Sequence, residues 1–567
     1  MPHSLDPLRQ RLEGSLDQIH QIQEICQTPS ITFGVVHEGQ VVLKRSIGHR
    51  DVNQQIPADD KTIYMIGSCS KMFTSAAIGI LVDEGKINWT DPVQKYIPEF
   101  NPVGDPRIGK EADIIDILRH STGLTPPSIL SIGPGVTILG DEEDAVPLIN
   151  TMPTSDEKGQ KFNREWWYNN HVYGMAALIV QRVTGQRYAD FVRERILNPL
   201  GMNRTVLKRC DVENDDNVAI PYAKLSDGRF AQLDEQSWPC ENNSVLLGGN
   251  AIRSTLDDML TWCIAVLDAE RAENEPDYEP NVPHNPLKQM NRVRRGYWTR
   301  PSDDPEFSKD TAYCMGWFRA KLPSSMLGGF SGNVNSRDKE YKVHLDYILG
   351  KDHAERPFTM IGHTGGMIGS VFSVFTFPET QSAVVTMTNG RDFGDASDFT
   401  AQILTQALFD LKPVVDLTGW AKKEAELAKG HYRKHIEQPW EENRRPNDPE
   451  KEDLTLYVGQ YRGFGDRFTL TVVAQPQQPH SNGGTTQLSL IFNHRKASEC
   501  PLVFYKKDIY SFFNPGEDAF KLRQILVFDY KQMLLEFQFD DSGENVKGLW
   551  WKWDEHAERA WMEKMAR

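Results

Sequence analysis

The sequence predicts an α/β chain of the α+β kind, a mixed sheet-and-helix domain followed by a small all-β domain. Three observations carry that expectation. Runs with strand character stand near 31–47 and 360–389, with helical periodicity between them. From Leu454 onward the pattern changes to short alternating runs separated by turn residues. The length, 567 residues, exceeds what one ordinary hydrophobic core fills, so two domains are expected.

Composition narrows the class. With 39% hydrophobic and 25% charged residues the chain reads as a soluble globular protein. A formal charge of −16 argues against nucleic acid and against anionic membrane surfaces as partners. The basic run Arg292-Val-Arg-Arg295 with Arg300 sits in a polar stretch and reads as a solvated loop. The N-terminus has no apolar core of a signal peptide, and no run of about 18 apolar residues occurs, so neither secretion nor membrane spanning is expected. Seven cysteines without paired spacing suit free thiols in a reducing compartment, and the cytosol is the expected location.

In chain order, residues 1–29 read as a polar helix on the outside of the fold. Ile31–His37 and Gln40–Ile47 read as two strands joined by a tight turn at Glu38-Gly39. The extended run Thr62–Ile66 breaks at Gly67, after which Ala77, Ile78, Ile80 and Leu81 recur at helical spacing until Gly85. Ile114–Leu124 reads as a short helix ending in a glycine-marked loop. Tyr168 and Asn170 stand two apart in a loop before the helix Gly174–Gly185, so their side chains are expected to face one cleft. Leu256–Leu267 reads as a helix. The stretches 268–312 and 322–356 are expected to be insertions over the core. Met360–Phe377 and Ser382–Asn389 read as consecutive strands leading to a helix over 396–411. The charged segment 416–453 reads as a helical linker between a domain spanning 1–415 and one spanning 454–567. In the last domain, strands are expected over 467–473, 487–492, 502–505, 509–513, 524–528, 533–539 and 546–552, making a small antiparallel barrel or sandwich. Trp550, Trp551 and Trp553 are expected there as core and edge packing.

The stretch with the most chemistry is Ile66-Gly-Ser68-Cys-Ser-Lys71. Ser68 is expected at a helix N-terminus, and residues three apart on a helix share a face, so the Lys71 amine falls within reach of the Ser68 hydroxyl. Backbone N–H groups at that helix end favour developing negative charge. A serine beside a deprotonatable lysine is one route to a nucleophile without histidine. Cys69, the next residue along the turn, points about 100 degrees away and is not expected to be the nucleophile. His431 and His435 stand four apart on the linker helix, but no cysteine or carboxylate partner is apparent, so no metal site is expected there.

Ser68-x-x-Lys71, Tyr168-x-Asn170 and His363-Thr364-Gly365 occur in that order at well-separated positions. Together they resemble the serine β-lactamase and penicillin-binding protein superfamily, in the branch of class C β-lactamases, D-alanyl-D-alanine carboxypeptidases and related esterases and transacylases. Leu118-Arg-His-Ser-Thr-Gly-Leu124, Asn198-Pro-Leu-Gly-Met202 and Gly362-His-Thr-Gly-Gly366 also resemble recurrent strings of that family. The resemblance covers roughly residues 25–412, and the tail is similar to a lipocalin-like C-terminal domain. It implies a β-lactamase-like antiparallel sheet flanked by helices, with an all-helical subdomain, followed by a small β-barrel. The middle motif reads Tyr-Asn-Asn where Tyr-Ser-Asn or Tyr-Ala-Asn is frequent. The third carries His363 where many β-lactamases carry lysine, which weakens the anchor for a substrate carboxylate.

The resemblance also implies roles. Ser68 would attack a carbonyl and become acylated, with Lys71 and Tyr168 as the pair that takes its proton and returns it to the leaving group. Asn170 would donate to substrate or Lys71, and the N–H groups of Ser68 and Gly366 would form an oxyanion hole. His363, Thr364 and Gly365 would line the far wall. The implied activity is serine acyl-enzyme hydrolysis of an ester or amide of a small molecule, with no cofactor. Acyl transfer to an alcohol or amine would use the same residues, and a binding protein that lost turnover is the non-enzymatic alternative. The oligomeric state is left open.

Overall fold

The computed structural model describes residues 5–154, 162–233, 244–299, 311–325, 327–329, 331–333, 347–353, 355, 358–367, 369–475, 487–513, 516–523, 527 and 529–566. Its centre is a nine-stranded antiparallel sheet. From one edge the order is Ile56–Pro57, Gln40–Asp51, Ser30–His37, Ser382–Thr388, Ser370–Phe377, Thr359–Met367, Phe318–Lys321, Ala312–Tyr313 and Trp298–Thr299. The first hairpin therefore closes against the last long strand, with Ile31 opposite Thr388 and Val35 opposite Val384. Chain ends that are distant in sequence meet in the middle of the sheet.

Both faces of the sheet are covered, and side chains alternate between them as strand geometry requires. Phe33, Val35, Met360, Phe375 and Val384 face the N-terminal helices and the helix Ala396–Phe409. Val36, Ile361, Phe372, Val374, Val385 and Met387 face the helices Ser70–Asp83 and Leu256–Asn274 and the helical subdomain behind them. The N-terminal segment is two helices, Asp6–Glu13 and Leu16–Cys26, rather than one. Leu8, Leu12, Ile19, Ile22 and Cys26 bury a stripe at helical spacing, so this segment is part of the core and not an outer layer.

The stretch expected as a first insertion begins inside a helix. Leu256–Asn274 runs 19 residues, capped by the Thr255 hydroxyl accepting from the Asp258 amide, and it carries Ala269 into the core beyond Leu267. The far edge of that stretch, Trp298–Thr299 and Ala312–Tyr313, joins the sheet as two-residue strands. Arg300 and residues 300–310 and 334–346 of the two stretches lie outside the described residues.

Eight strands, Gly459–Gly463, Phe468–Gln475, Gln487–Phe492, Cys500–Lys506, Ile509–Ser511, Leu534–Phe539, Val546–Trp551 and Ala560–Lys564, form a closed barrel. Pairing of the last strand with the first, Tyr461 opposite Lys564, removes both edges. Tyr461, Leu470, Phe492, Phe537 and Trp551 are buried in its packed interior, whereas Trp550 lies against Trp561 with ring centroids 5.1 Å apart. Of the strand expected over 524–528, only Val527 is among the described residues.

The segment 416–453 is a strap of helices, Leu417–Tyr432 and Gln438–Asn443, joined through one π-helical turn. Its start buries Trp420 and Ala421 against the N-terminal helices, and its end buries Tyr432, Ile436 and Trp440 against the barrel. The rings of His431 and His435 lie 4.5 Å apart on this strap. The barrel also grips the first domain directly: Arg495 pairs with Asp141 at 3.0 Å, and Lys521 Nζ donates to the Lys224 carbonyl at 2.9 Å. No helix among the described residues is long and apolar enough to cross a membrane.

Candidate active site

Ser68 lies in a single 3-10 turn, Gly67–Cys69, that runs straight into the helix Ser70–Asp83. The turn is clamped from two sides. The short strand Tyr64–Met65 pairs with Arg253–Ser254, the Ser70 hydroxyl donates to the Gly67 carbonyl at 2.7 Å, and the Ile252 amide donates to the Ser70 hydroxyl at 2.9 Å. On the other side, strand Thr359–Met367 comes so close that a β-carbon on Gly365 would stand 2.0 Å from the Ile66 carbonyl oxygen and 3.2 Å from the Ser68 nitrogen. Gly67 has φ +52°, and a β-carbon there would meet the Gly366 nitrogen at 2.9 Å. Glycine at 67 and 365 is thus what lets the Ser68 and Gly366 backbones adjoin.

The helix carries Lys71 one turn below Ser68. Lys71 Nζ is 3.2 Å from Ser68 Oγ, and the Asn170 Oδ1, Gly249 carbonyl and Asn250 Oδ1 oxygens lie 2.6, 3.0 and 3.2 Å from it. Its side chain is fully buried and these partners are all uncharged oxygens. Burial without a carboxylate pushes its pKa well below the ordinary lysine value, favouring the neutral amine. The aromatic faces of Tyr168 and Tyr173, 4.7 and 5.4 Å from Nζ, complete its enclosure.

Asn170 is the first residue of the helix Asn170–Thr184, not a loop residue as the sequence suggests. Asn169 caps that helix through its Oδ1, which accepts from the His171 amide at 2.9 Å. The cap starts the helix four residues before Gly174, where hydrophobic periodicity places its start. Tyr168 stays in the loop, its ring partly exposed and its hydroxyl buried toward Ser68. Burial raises the phenol well above its usual pKa, and its interaction with the Ser68 hydroxyl opposes that rise without cancelling it.

The third motif is placed less as expected. Ser68, Asn170 and Gly366 line a cavity of about 190 Å³ together with Asn250, Met367, Tyr222 and Arg391, whereas His363, Thr364 and Gly365 are buried and are not part of its lining. His363 Nδ1 lies 2.5 Å from the Thr364 carbonyl oxygen, which makes Nδ1 the protonated nitrogen. Burial lowers its pKa to about 3, so the imidazole is neutral at working pH. Because the unfolded value is near 6.5, the neutral histidine favours the folded state above that pH, and this contribution is lost as pH falls from 6.5 toward 3. The stability advantage of the wild-type protein over His363→Asn is therefore expected to shrink by a few kcal/mol across that window. Denaturant unfolding at stepped pH checks it, and a pH-independent difference would contradict the buried neutral state.

Asn250, His120, Tyr313 and Arg391 are four participants that the sequence does not single out. Asn250, at the end of the short helix Leu247–Asn250, contacts both Ser68 Oγ at 3.3 Å and Lys71 Nζ. The Leu247-Gly-Gly-Asn string is its only signal: a β-carbon on Gly248 would stand 2.1 Å from the Tyr173 carbonyl, so glycine admits this helix between two others. His120 accepts from the Asn169 amide through Nδ1 at 3.2 Å and faces the Tyr313 hydroxyl through Nε2 at 3.2 Å. Its ring lies 4.4 Å from that of Tyr168 and 5.0 Å from that of Tyr313, bracing the Tyr168 ring from behind. Arg391 is the fourth. Cys69 is buried, its thiol pushed well above the ordinary range, with Sγ against the His363 carbonyl at 3.5 Å, which excludes a thiolate nucleophile there.

With this geometry in view, the sequence matches the beta-lactamase family over residues 17–407, and the chain belongs to that family. It is 24% identical over 431 residues to the unguisins hydrolase ungD of Aspergillus violaceofuscus, covering 73% of this chain and 68% of the relative. It is 29% identical over 203 residues to protein flp of Staphylococcus aureus strain MW2, covering 36% of this chain and 39% of that protein. Its fold is similar to that of the octameric penicillin-binding protein homologue from Pyrococcus abyssi, with a TM-score of 0.53 at 19% identity, over 97% of this chain and 99% of the other.

Proposed function

We propose that this beta-lactamase-family chain is a serine hydrolase that cleaves an ester or amide of a small molecule through an acyl-enzyme on Ser68. The observation that carries the reading is the Lys71 amine, buried among uncharged oxygens 3.2 Å from Ser68 Oγ. A relative whose name is that of a hydrolase supports the reaction class.

In this reading neutral Lys71 accepts the Ser68 proton as Oγ bonds to the substrate carbonyl carbon. Its two N–H groups remain directed at Asn170 Oδ1 and the Gly249 carbonyl, which orients the lone pair. The tetrahedral oxyanion lies against the N–H groups of Ser68 and Gly366, where losing one donor costs about 3 kcal/mol in comparable sites. As the scissile bond breaks, the leaving group takes the proton from the Lys71 ammonium through the Tyr168 hydroxyl. Water then attacks the acyl carbon and releases the acid, restoring Ser68. The raised pKa of Tyr168 and lowered pKa of Lys71 favour lysine as base and tyrosine as neutral relay.

Asn250→Asp tests the charge argument. A carboxylate in place of an amide 3.2 Å from Nζ holds Lys71 protonated, so the acidic limb of kcat/KM is expected to move up by about one pH unit or more, with activity at neutral pH falling about tenfold. A pH profile on any turned-over ester checks it, and an unmoved limb contradicts lysine as base.

A further inference from the structure

We infer that Val136 is a specificity-determining residue: held in a strained turn, it closes one side of the Ser68 cavity and limits the substrate to a short, compact apolar acyl group. The inference rests on the serine hydrolase reading and names the size class of its acyl donor.

Val136 stands at the tip of a hairpin. Ile132 bridges Ile138, the Gly133 amide donates to the Thr137 carbonyl at 2.9 Å, and the Thr137 hydroxyl donates to the Pro134 carbonyl at 2.9 Å. Gly135 and Val136 turn the chain with φ of +67° and +56°. Two successive left-handed positions are usual for glycine and asparagine, whereas a β-branched side chain there is strained. Among the described residues, Val136 is the one β-branched residue with a positive φ. Strain of this kind persists where the surroundings over-determine it, and it gathers at ligand sites.

The surroundings here do so from three sides. At the root of the hairpin the Leu139 amide donates to the Ser131 carbonyl at 2.9 Å, and the Ser131 hydroxyl lies 3.2 Å from Nε2 of His171, the residue after Asn170. Gly135 meets the barrel, where its β-carbon would lie 3.5 Å from the Ala497 carbonyl oxygen. The barrel also holds the strand that leaves the hairpin, with the Asn493 side-chain amide donating to the Leu139 carbonyl and Arg495 paired with Asp141. Val136 itself is buried in one apolar cluster with Ile132, Ala223 and Leu246.

Val136, Ile132, Ala223 and Met367 supply apolar lining to the cavity that Ser68 and Gly366 share. The acyl group stays bonded to Ser68 after the leaving group departs, so it lies in this cavity. At about 190 Å³ the cavity is smaller than the roughly 300 Å³ at which pockets for drug-sized ligands begin. The barrel behind Gly135 blocks outward movement of the hairpin, so Val136 sets the length of chain admitted.

The test compares nitrophenyl butyrate with nitrophenyl octanoate. The wild-type protein is expected to prefer the butyrate, and Val136→Ala to raise the octanoate-to-butyrate ratio of kcat/KM values about tenfold, the scale of a methylene change in a hydrophobic pocket. Val136→Leu lowers the ratio. Ile132→Val, one methyl less on the same wall, raises it by a smaller factor and serves if Val136→Ala does not fold. A residue that only shaped the fold would move both kcat/KM values together, so an unchanged ratio in Val136→Ala and Ile132→Val overturns the inference. A wild-type preference for the octanoate overturns it as well. Binding of the octanoate ester to Ser68→Ala protein, with and without Val136→Ala, separates the two claims. Tighter binding in the double variant supports the wall whatever the nucleophile, and equal binding overturns it. Turnover by Ser68→Ala at the wild-type rate would overturn the serine reading alone.

Discussion

Ser68→Ala is expected to lower kcat by about four orders of magnitude or more and to abolish covalent labelling by a fluorophosphonate, with the fold intact. Oγ is the only atom the mechanism bonds to substrate, and removing a nucleophile leaves only binding and oxyanion stabilisation. The variant is expected to fold because Ser68 is partly exposed and, among the described residues, its hydroxyl interacts with Asn250, Lys71 and Tyr168 alone, while the turn is held by Ser70 and Ile252. Circular dichroism together with intact-mass analysis after incubation with the probe checks both halves. Labelling of the variant at the wild-type rate would remove Ser68 from the chemistry.

Lys71→Met is expected to cost about three orders of magnitude in kcat, and the double variant with Ser68→Ala no more than Ser68→Ala alone, because base and nucleophile act as one unit. Methionine fills the buried channel without a charge, so stability is expected to hold or rise. A lysine whose pKa is lowered by burial loses protonation free energy on folding at pH values below its ordinary pKa, and the substitution removes that cost. Turnover measured beside thermal unfolding checks it. An active Lys71→Met would shift the base role to Tyr168.

The Ser68 and Lys71 pairing was legible because it is local: three residues on one helix fix the distance whatever surrounds them. The strands that carry the third motif were legible, and burial of His363 was one of the two readings an isolated histidine allows; the resemblance favoured the other, a place on the cavity wall. Asn250 and His120 are invisible to pattern because each acts through a contact between segments far apart in sequence, Asn250 with Ser68 and His120 with Tyr313. Tyr313 stands in a two-residue strand, too short for any period to register. The N-terminal helices misled by composition: their polar residues outnumber the buried stripe of Leu8, Leu12, Ile19 and Ile22 that docks them on the sheet. An antiparallel barrel or sandwich was readable from the alternating runs, but the strands Gly459–Gly463 and Ala560–Lys564 that close it were not, and its grip on the first domain through Arg495 and Lys521 depends on surface charges with no sequence signature.

The central claim is that a lysine kept neutral by burial activates Ser68. The rate of fluorophosphonate labelling as a function of pH, with the adduct located by peptide mass spectrometry, tests it most directly. The expected result is one adduct on Ser68 whose rate rises through a midpoint well below the ordinary lysine value and is nearly lost in Lys71→Met. An adduct on another residue, or a rate that climbs only near pH 10.5, would contradict it.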